Sequence, residues 1–236
     1  MSKHGKKFSD AAKKVDPTKQ YTSREALELL KTLAFAKFNE TVEVHFKLNV
    51  DPRQADQQVR GVAALPAGTG KTVRILAFVE GETAAAAREA GADYVGIDEF
   101  LPKVQEGWTD FDVAIAVPQS MGKISKLGRV LGPRGLMPSP KSGTVVQPGD
   151  IASTIRQLRQ GRVEFRVDKT ANLHIPFGKT SFSVDDLVAN WTALMSVINR
   201  SRPSSVKGRF IERITFASTM GPGFHIDLNE AMTLGS

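Results

Sequence analysis

The chain has 236 residues, with 32 Lys+Arg against 25 Asp+Glu, a formal net charge of +7, four His and no Cys. Without Cys it can hold no disulfide framework, thiol nucleophile, iron–sulfur cluster or thiolate zinc site. No apolar run approaches the ~18 residues of a membrane span, the start MSKHGKKFSDAAKK lacks the apolar core of a signal peptide, and the positive balance suits a polyanionic partner.

Residues 1–20 hold six Lys and two Asp and read as a basic arm. Thr22 and Glu25 make a capping box ahead of Ala26, Leu29, Leu30 and Leu33, which predicts a helix. Val44, Phe46, Leu48 and Val50 then alternate with Glu43, His45, Lys47 and Asn49, the period of a strand with one core face and one wet face. LPAGTG at 65–70 reads as a Gly/Pro crossover. The end of AGTGKT fits a phosphate-binding loop, but Leu65 stands where the first Gly of that motif must curl the backbone, and no strand leads directly into the segment with a helix after it, since VRILAFV follows. An ordinary hinge is the simpler reading.

The middle of the chain has another pattern. VRILAFV at 73–79 and DVAIAV at 112–117 are short apolar runs of the kind found in strands covered on both faces, followed by helix candidates at 82–90 and near 119–131. GADYVG at 91–96 lacks dinucleotide-binding spacing. Residues 120–141 carry Lys123, Lys126, Arg129, Arg134 and Lys141 with no acidic residue, a cationic patch or simply a solvated helix face. A helix over 150–159 ends at Gly161.

After it the alternating style returns. Val163, Phe165 and Val167, then Leu173 and Ile175, then Ile214 and Phe216, mark strands, with a further ladder at Phe224, Ile226 and Leu228. Ser183 precedes the helical stripe Leu187, Trp191, Leu194 and Ile198. The expected fold is α/β with two domains: an inserted α/β domain over 68–160 and an α+β domain built from 1–67 plus 161–236, two crossings forming a double hinge.

No G-x-S-x-G elbow, H-E-x-x-H pair or close His/carboxylate set appears, so the reading is non-enzymatic, without catalytic residues, metal or cofactor. The rival is a nucleotide-dependent transferase in the middle domain. Three segments could instead converge on one sheet edge: Lys37–Thr41, Arg166 with Asp168, Lys169 and Thr170, and Ser218–Gly223. Lys and Arg neutralise phosphates, Ser and Thr reach phosphate oxygens and 2′-hydroxyls, Gly admits close backbone approach, and Phe and Met meet bases and sugars. Phe38 as a core residue and TMGPG as a plain turn remain open alternatives.

Long segments in fixed order, among them KHGKKF, AKFNETVEVHFKLNVDPRQADQQVRG at 36–61, AGADYVG, SKLGRVLGPRGLMPSPKSGTV at 125–145, GRVEFRVDKTANLHIPFGK at 161–179 and STMGPG at 218–223, resemble the large-subunit ribosomal protein one family. The resemblance implies that the inserted domain is a Rossmann-like three-layer α/β unit without a nucleotide, and that the domain of both termini binds large-subunit ribosomal RNA. It implies a cytoplasmic monomer within the ribosome, no membrane partner, a mobile stalk assisting release of deacylated tRNA from the exit site, and translational repression through its own mRNA. By matching motif, the RNA-binding candidates are Lys37, Phe38, Thr41, Glu43, Arg166, Asp168, Lys169, His174, Ser218, Thr219, Met220 and Gly221. The charge of the 120–141 stretch separately suggests a second set, Lys126, Arg129, Arg134 and Lys141, that could meet RNA or tRNA elsewhere. The family's LMPNPK reads LMPSPK here, with Ser139 for Asn, and the tail EAMTLGS has no functional reading.

Overall fold

A computed structural model describes residues 5–234, Lys141 by its backbone alone. The first elements are helices α1 (Lys6–Ala12) and α2 (Ser23–Leu33), strands β1 (Thr41–Leu48), β2 (Arg60–Ala64) and β3 (Ile75–Phe78), helix α3 (Glu82–Glu89), strand β4 (Tyr94–Val95), helix α4 (Phe100–Gln105) and strand β5 (Val113–Ala116). Helices α5 (Met121–Ile124), α6 (Gly128–Leu131) and α7 (Ile151–Gly161) follow. The chain continues through β6 (Arg162–Arg166), β7 (Asn172–Lys179), α8 (Val184–Arg200), β8 (Ile211–Ser218), β9 (Phe224–His225) and α9 (Leu228–Leu234). This is a mixed α/β protein. Its contacts gather into two compact units, Met1–Gly70 with Arg162–Ser236, and Lys71–Gly161.

The first unit is organised by an antiparallel sheet in the order β7-β1-β8-β9. Alternation in β1 buries Val42, Val44, Phe46 and Leu48 on one face, where α2 and α8 supply Ala26, Leu27, Leu30, Leu187, Trp191, Leu194 and Ile198. Both helices start where the sequence places their caps: Thr22 Oγ1 accepts from the Glu25 amide at 3.3 Å and Ser183 Oγ from the Asp186 amide at 3.0 Å, each satisfying an amide that has no partner within the helix. Trp191 stacks on Phe46 at 5.9 Å and meets Phe216 edge-on at 4.8 Å. Close packing of β7 on α8 requires Gly178, since a Cβ there would lie 2.3 Å from Leu187 Cδ2.

The opposite face of that sheet carries Thr41, Glu43, His45 and Lys47 of β1, His174 and Pro176 of β7, and Arg213, Thr215 and Ala217 of β8, all intermediate or exposed. Register sets them side by side: Glu43 between Pro176 and Ala217, His45 between His174 and Thr215. Strand β6 does not join this sheet. It pairs with β2 in a separate antiparallel ribbon, Phe165 opposite Gly61.

One expectation changes here. The ladder at Phe224, Ile226 and Leu228 stops early, because Asp227 Oδ1 accepts the Asn229 amide at 2.8 Å and starts α9. The described part of the tail, for which the sequence offered no functional reading, packs: Ala231 is buried and the Glu230 carboxylate accepts the Ser23 amide at 2.7 Å. Strand β2 leads directly into LPAGTG. What the phosphate-loop geometry lacks is a helix after it, for β3 follows. The loop is held instead by buried Asn190, whose Oδ1 accepts the Ala67 amide at 2.8 Å while Nδ2 donates to the carbonyls of Gly68 and Phe177 at 2.9 and 2.8 Å.

In the second unit a parallel sheet, order β4-β3-β5, is covered on both faces. Ile75, Ala77 and Val79 pack with Ala84 and Ala87 of α3 and with Ile151, Ile155 and Leu158 of α7. Leu76 and Phe78 pack with Phe100 and Val104 of α4 and with Ile124, Leu127 and Leu131. The stretch expected to be helical near 119–131 is broken into 3-10 turns, α5 and α6; Pro118, Gly122 and Gly128 lower the helical propensity of the run.

Candidate nucleic-acid interface

The sheet's register brings two of the three expected tips together. The entry to β1 and the exit from β8 lie side by side, Val42 opposite Ser218. They are stapled by four bonds. The Thr41 amide donates to Thr219 Oγ1 at 2.9 Å, the Thr219 amide returns to the Thr41 carbonyl at 3.1 Å, and Glu40 Oε2 accepts Ser218 Oγ at 2.7 Å and the Met220 amide at 3.0 Å. Gly221 leaves room for that bond: a Cβ there would sit 2.5 Å from Ser218 Oγ, the hydroxyl that reaches Glu40. Lys179 Nζ donates to Thr41 Oγ1 at 2.8 Å, and Asn39 Nδ2 to Ser181 Oγ at 2.9 Å, adding the end of β7 to the same rim.

At this rim the apolar groups point outward. Phe38 is 56% exposed and Met220 50%, two of the three large hydrophobic side chains exposed among the described residues, so Phe38 is not a core residue. Lys37 and Thr219 are exposed beside them, Thr41 is half-buried, and Glu43 follows two residues along the wet face. A cation, hydroxyls, a thioether, an aromatic ring and a glycine turn therefore share one end of the sheet.

The third tip is elsewhere. Because β7 runs antiparallel to β1, Thr41 lies opposite Lys179 and Lys47 opposite Asn172, which puts Asp168–Thr170 at the far end of β1, about 20 Å along the strand at ~3.4 Å per residue. Convergence of three tips on a single edge is thereby corrected to a strip running along the wet face. Asp168 Oδ1 there accepts the amides of Thr170 and Asn172, each at 2.8 Å, and Lys47 Nζ caps the Thr170 carbonyl at 2.6 Å. Lys169 is exposed on that turn. Arg166, on the β2–β6 ribbon opposite Arg60, lies off the strip's sheet.

Between the two ends sits a histidine pair. His45 Nδ1 and His174 Nδ1 are 2.8 Å apart, and His174 Nε2 is 3.6 Å from Asp168 Oδ2. Burial, then the neighbouring His174, lowers the His45 pKa and favours its neutral ring. Sequence reading placed His45 on the wet face without assigning it; its match in parity to Glu43 was the available signal. Glu40, Lys179 and Ser181 were also unassigned, and nothing local in the sequence marks the long-range bonds they make.

The Asp168 carboxyl is lowered to about 2, first by the Asn172 amide, which together with the bonds from Thr170 outweighs the opposing effect of burial. Its ordinary value is 3.8, so the unfolded chain takes up the proton first. The stabilisation is therefore complete above 3.8 and lost as pH falls toward about 2. Thermal melts across that window should show a smaller pH slope for Asp168→Asn than for the wild type. Asp112, also lowered to about 2 because bonds from Lys71 and Arg74 outweigh its burial, titrates identically in both proteins and drops out of the comparison.

On the second unit Lys126 and Arg129 are exposed, Arg134 donates to Thr109 Oγ1, and Lys123 pairs with Glu80 at 2.6 Å. The patch is thus less bare than its sequence implies. The side chain of Lys141 lies outside the described residues, and Ser139 sits in a turn where its amide donates to Thr144 Oγ1 at 2.9 Å. The Lys71 ammonium binds Asp112 at 2.5 Å.

Residues 30–222 match the model of the Ribosomal protein L1p/L10e family, a span that takes in both ends of the strip. The chain belongs to that family. It is similar to large ribosomal subunit protein uL1 of Chloroflexus aggregans, 53% identical over 229 residues, 97% of each chain. It is also similar to large ribosomal subunit protein uL1 of Lactobacillus acidophilus, 51% identical over 227 residues, 96% of this chain and 98% of the other. Ribosomal L1 proteins are structural, RNA-binding components of translation and not enzymes, which removes the transferase reading.

Proposed function

We propose that the chain is a constituent of the large ribosomal subunit whose first unit grips ribosomal RNA directly along the wet sheet face, from the Phe38/Met220 rim toward Asp168 and Lys169. The observation that carries this is the exposure of Phe38 and Met220 on loops fixed by four hydrogen bonds: apolar groups held rigidly in solvent beside a cation, hydroxyls and a glycine turn match the needs of RNA recognition. Lys37 supplies phosphate neutralisation, Thr41 and Thr219 hydroxyls, and Gly221 close approach, while Ser218, buried with its hydroxyl on Glu40, supports the rim from behind. Glu43, Asp168 and His174 offer groups for base edges and 2′-hydroxyls; Arg166 acts from the neighbouring ribbon.

The two compact units serve as two domains, one composed of both chain ends and one inserted between them. The inserted unit belongs to the mobile stalk beside the tRNA exit site, where Lys126, Arg129, Arg134 and Lys141 meet RNA and help release deacylated tRNA. The rRNA-binding surface also suits a messenger carrying the same folded motif, which makes the protein a repressor of its own translation. A salt titration tests the grip. Affinity for a large-subunit rRNA fragment should fall linearly in log–log form, and Lys37→Ala should reduce the slope by about 1. Equal affinity for that fragment and for a random RNA of the same length would contradict the proposal.

A further inference from the structure

We propose that Glu40 is the positioning residue of the RNA-binding rim, its carboxylate fixing the Phe38 loop and the Met220 turn relative to one another without touching RNA itself. The inference rests on the rim being the RNA surface. Glu40 is 1% exposed, the deepest carboxylate in the protein among the described residues. One oxygen accepts the Ala36 amide at 3.0 Å; the other accepts Ser218 Oγ at 2.7 Å and the Met220 amide at 3.0 Å. The same residue's carbonyl accepts the Thr180 amide at 2.9 Å, so the strand ends carrying Lys37, Met220 and Lys179 all attach to this one residue.

A carboxylate buried to this degree is costly unless its lone pairs are filled. Burial pushes its pKa up, but the donors from Ser218, Met220, Ala36 and Phe35 outweigh burial and lower it, so the group is held as an acceptor on both oxygens. That requirement separates Glu from Gln. In Glu40→Gln one oxygen becomes an NH2, which faces either the Ala36 amide or the Met220 amide, donor against donor. Phe38 is two residues from Glu40 and Met220 is bonded to it, so loosening either side changes the spacing of the two apolar contacts. Gly221 belongs to the same device, because a side chain there would push Ser218 Oγ off the carboxylate.

The test is a double-mutant cycle on the full chain with Glu40→Gln and Met220→Ala, read as affinity for a large-subunit rRNA fragment, together with hydrogen exchange of the free proteins. Each single variant should weaken binding about 10-fold. If Glu40 acts through Met220, the double variant should fall well short of the product of the two, and exchange at the Met220 or the Ala36 amide, whichever faces the new NH2, should accelerate in Glu40→Gln while the core of β1 stays protected. Additive losses, or unchanged exchange at those two amides, would overturn the positioning role. Should Met220→Ala bind like the wild type, the RNA surface has been misplaced, and exchange at the two amides still decides whether Glu40 orders the loops. If Glu40→Gln does not fold, Ser218→Ala removes one donor from the same carboxylate and takes its place in the cycle, where non-additive losses support the role and additive losses overturn it.

Discussion

Trp191→Ala should destabilise the first unit by about 3–5 kcal/mol, the range for removing a large aromatic side chain from a packed core. Trp191 is fully buried, stacked on Phe46, edge-on to Phe216 and 6.3 Å from Phe177, so one truncation removes the ring shared by β1, β7 and β8. It also strips Ser23 Oγ of the indole N–H that donates to it at 3.1 Å. Domains are stable by only about 5–15 kcal/mol, so the loss approaches the whole margin. Urea melts followed by far-ultraviolet circular dichroism check it. Because the rim is the ends of those same strands, RNA affinity should disappear at the temperature where the variant melts; a loss below about 1 kcal/mol would mean that the helix layer is not what holds the sheet.

Phe38→Ala and Met220→Ala should each weaken binding of the rRNA fragment about 10-fold, and together about 100-fold, in keeping with ~1–3 kcal/mol for each base deprived of its apolar partner. Both side chains are at least half exposed, so neither change removes core packing, and the melting midpoint should stay with the wild type. The contrast with Trp191→Ala is the diagnostic. One variant loses binding by unfolding, the other two lose it while folded. Random RNA, held by phosphate contacts, should be much less affected, and equilibrium titrations of both RNAs at one ionic strength measure the difference.

The strand pattern was legible because a half-buried strand writes its two faces in alternate letters: β1, β7 and β8 all follow the Val/Phe/Ile alternation, and β3 and β5 follow continuous apolar runs. Helices α2 and α8 were equally readable, since Thr22 and Ser183 are local caps. Non-local facts were not readable. Whether Asp168 lies near Phe38 depends on the antiparallel register of β1 and β7, and no residue spacing encodes which end of a neighbour a turn will reach. Short elements were missed for a related reason: Tyr94–Val95 is two residues long, too short for any period, and gains its place by pairing with Leu76 and Ala77. The candidate residues were read by chemical type and by resemblance. The burial of Glu40 behind Ser218 shows what type alone conceals, for a carboxylate in a basic, hydroxyl-rich loop looks like a surface group until its partners 178 and 180 residues away are seen.

Hydrogen exchange of the intact protein, free and bound to a large-subunit rRNA fragment, is the most direct test of the proposed grip. The account predicts new protection at residues 37–45 and 218–221, extending along the same face to 168–174, with little change in α2 and α8 on the covered face. Protection confined to the 123–134 segment of the second unit, with the Phe38 loop and the Met220 turn exchanging as in the free protein, would contradict it.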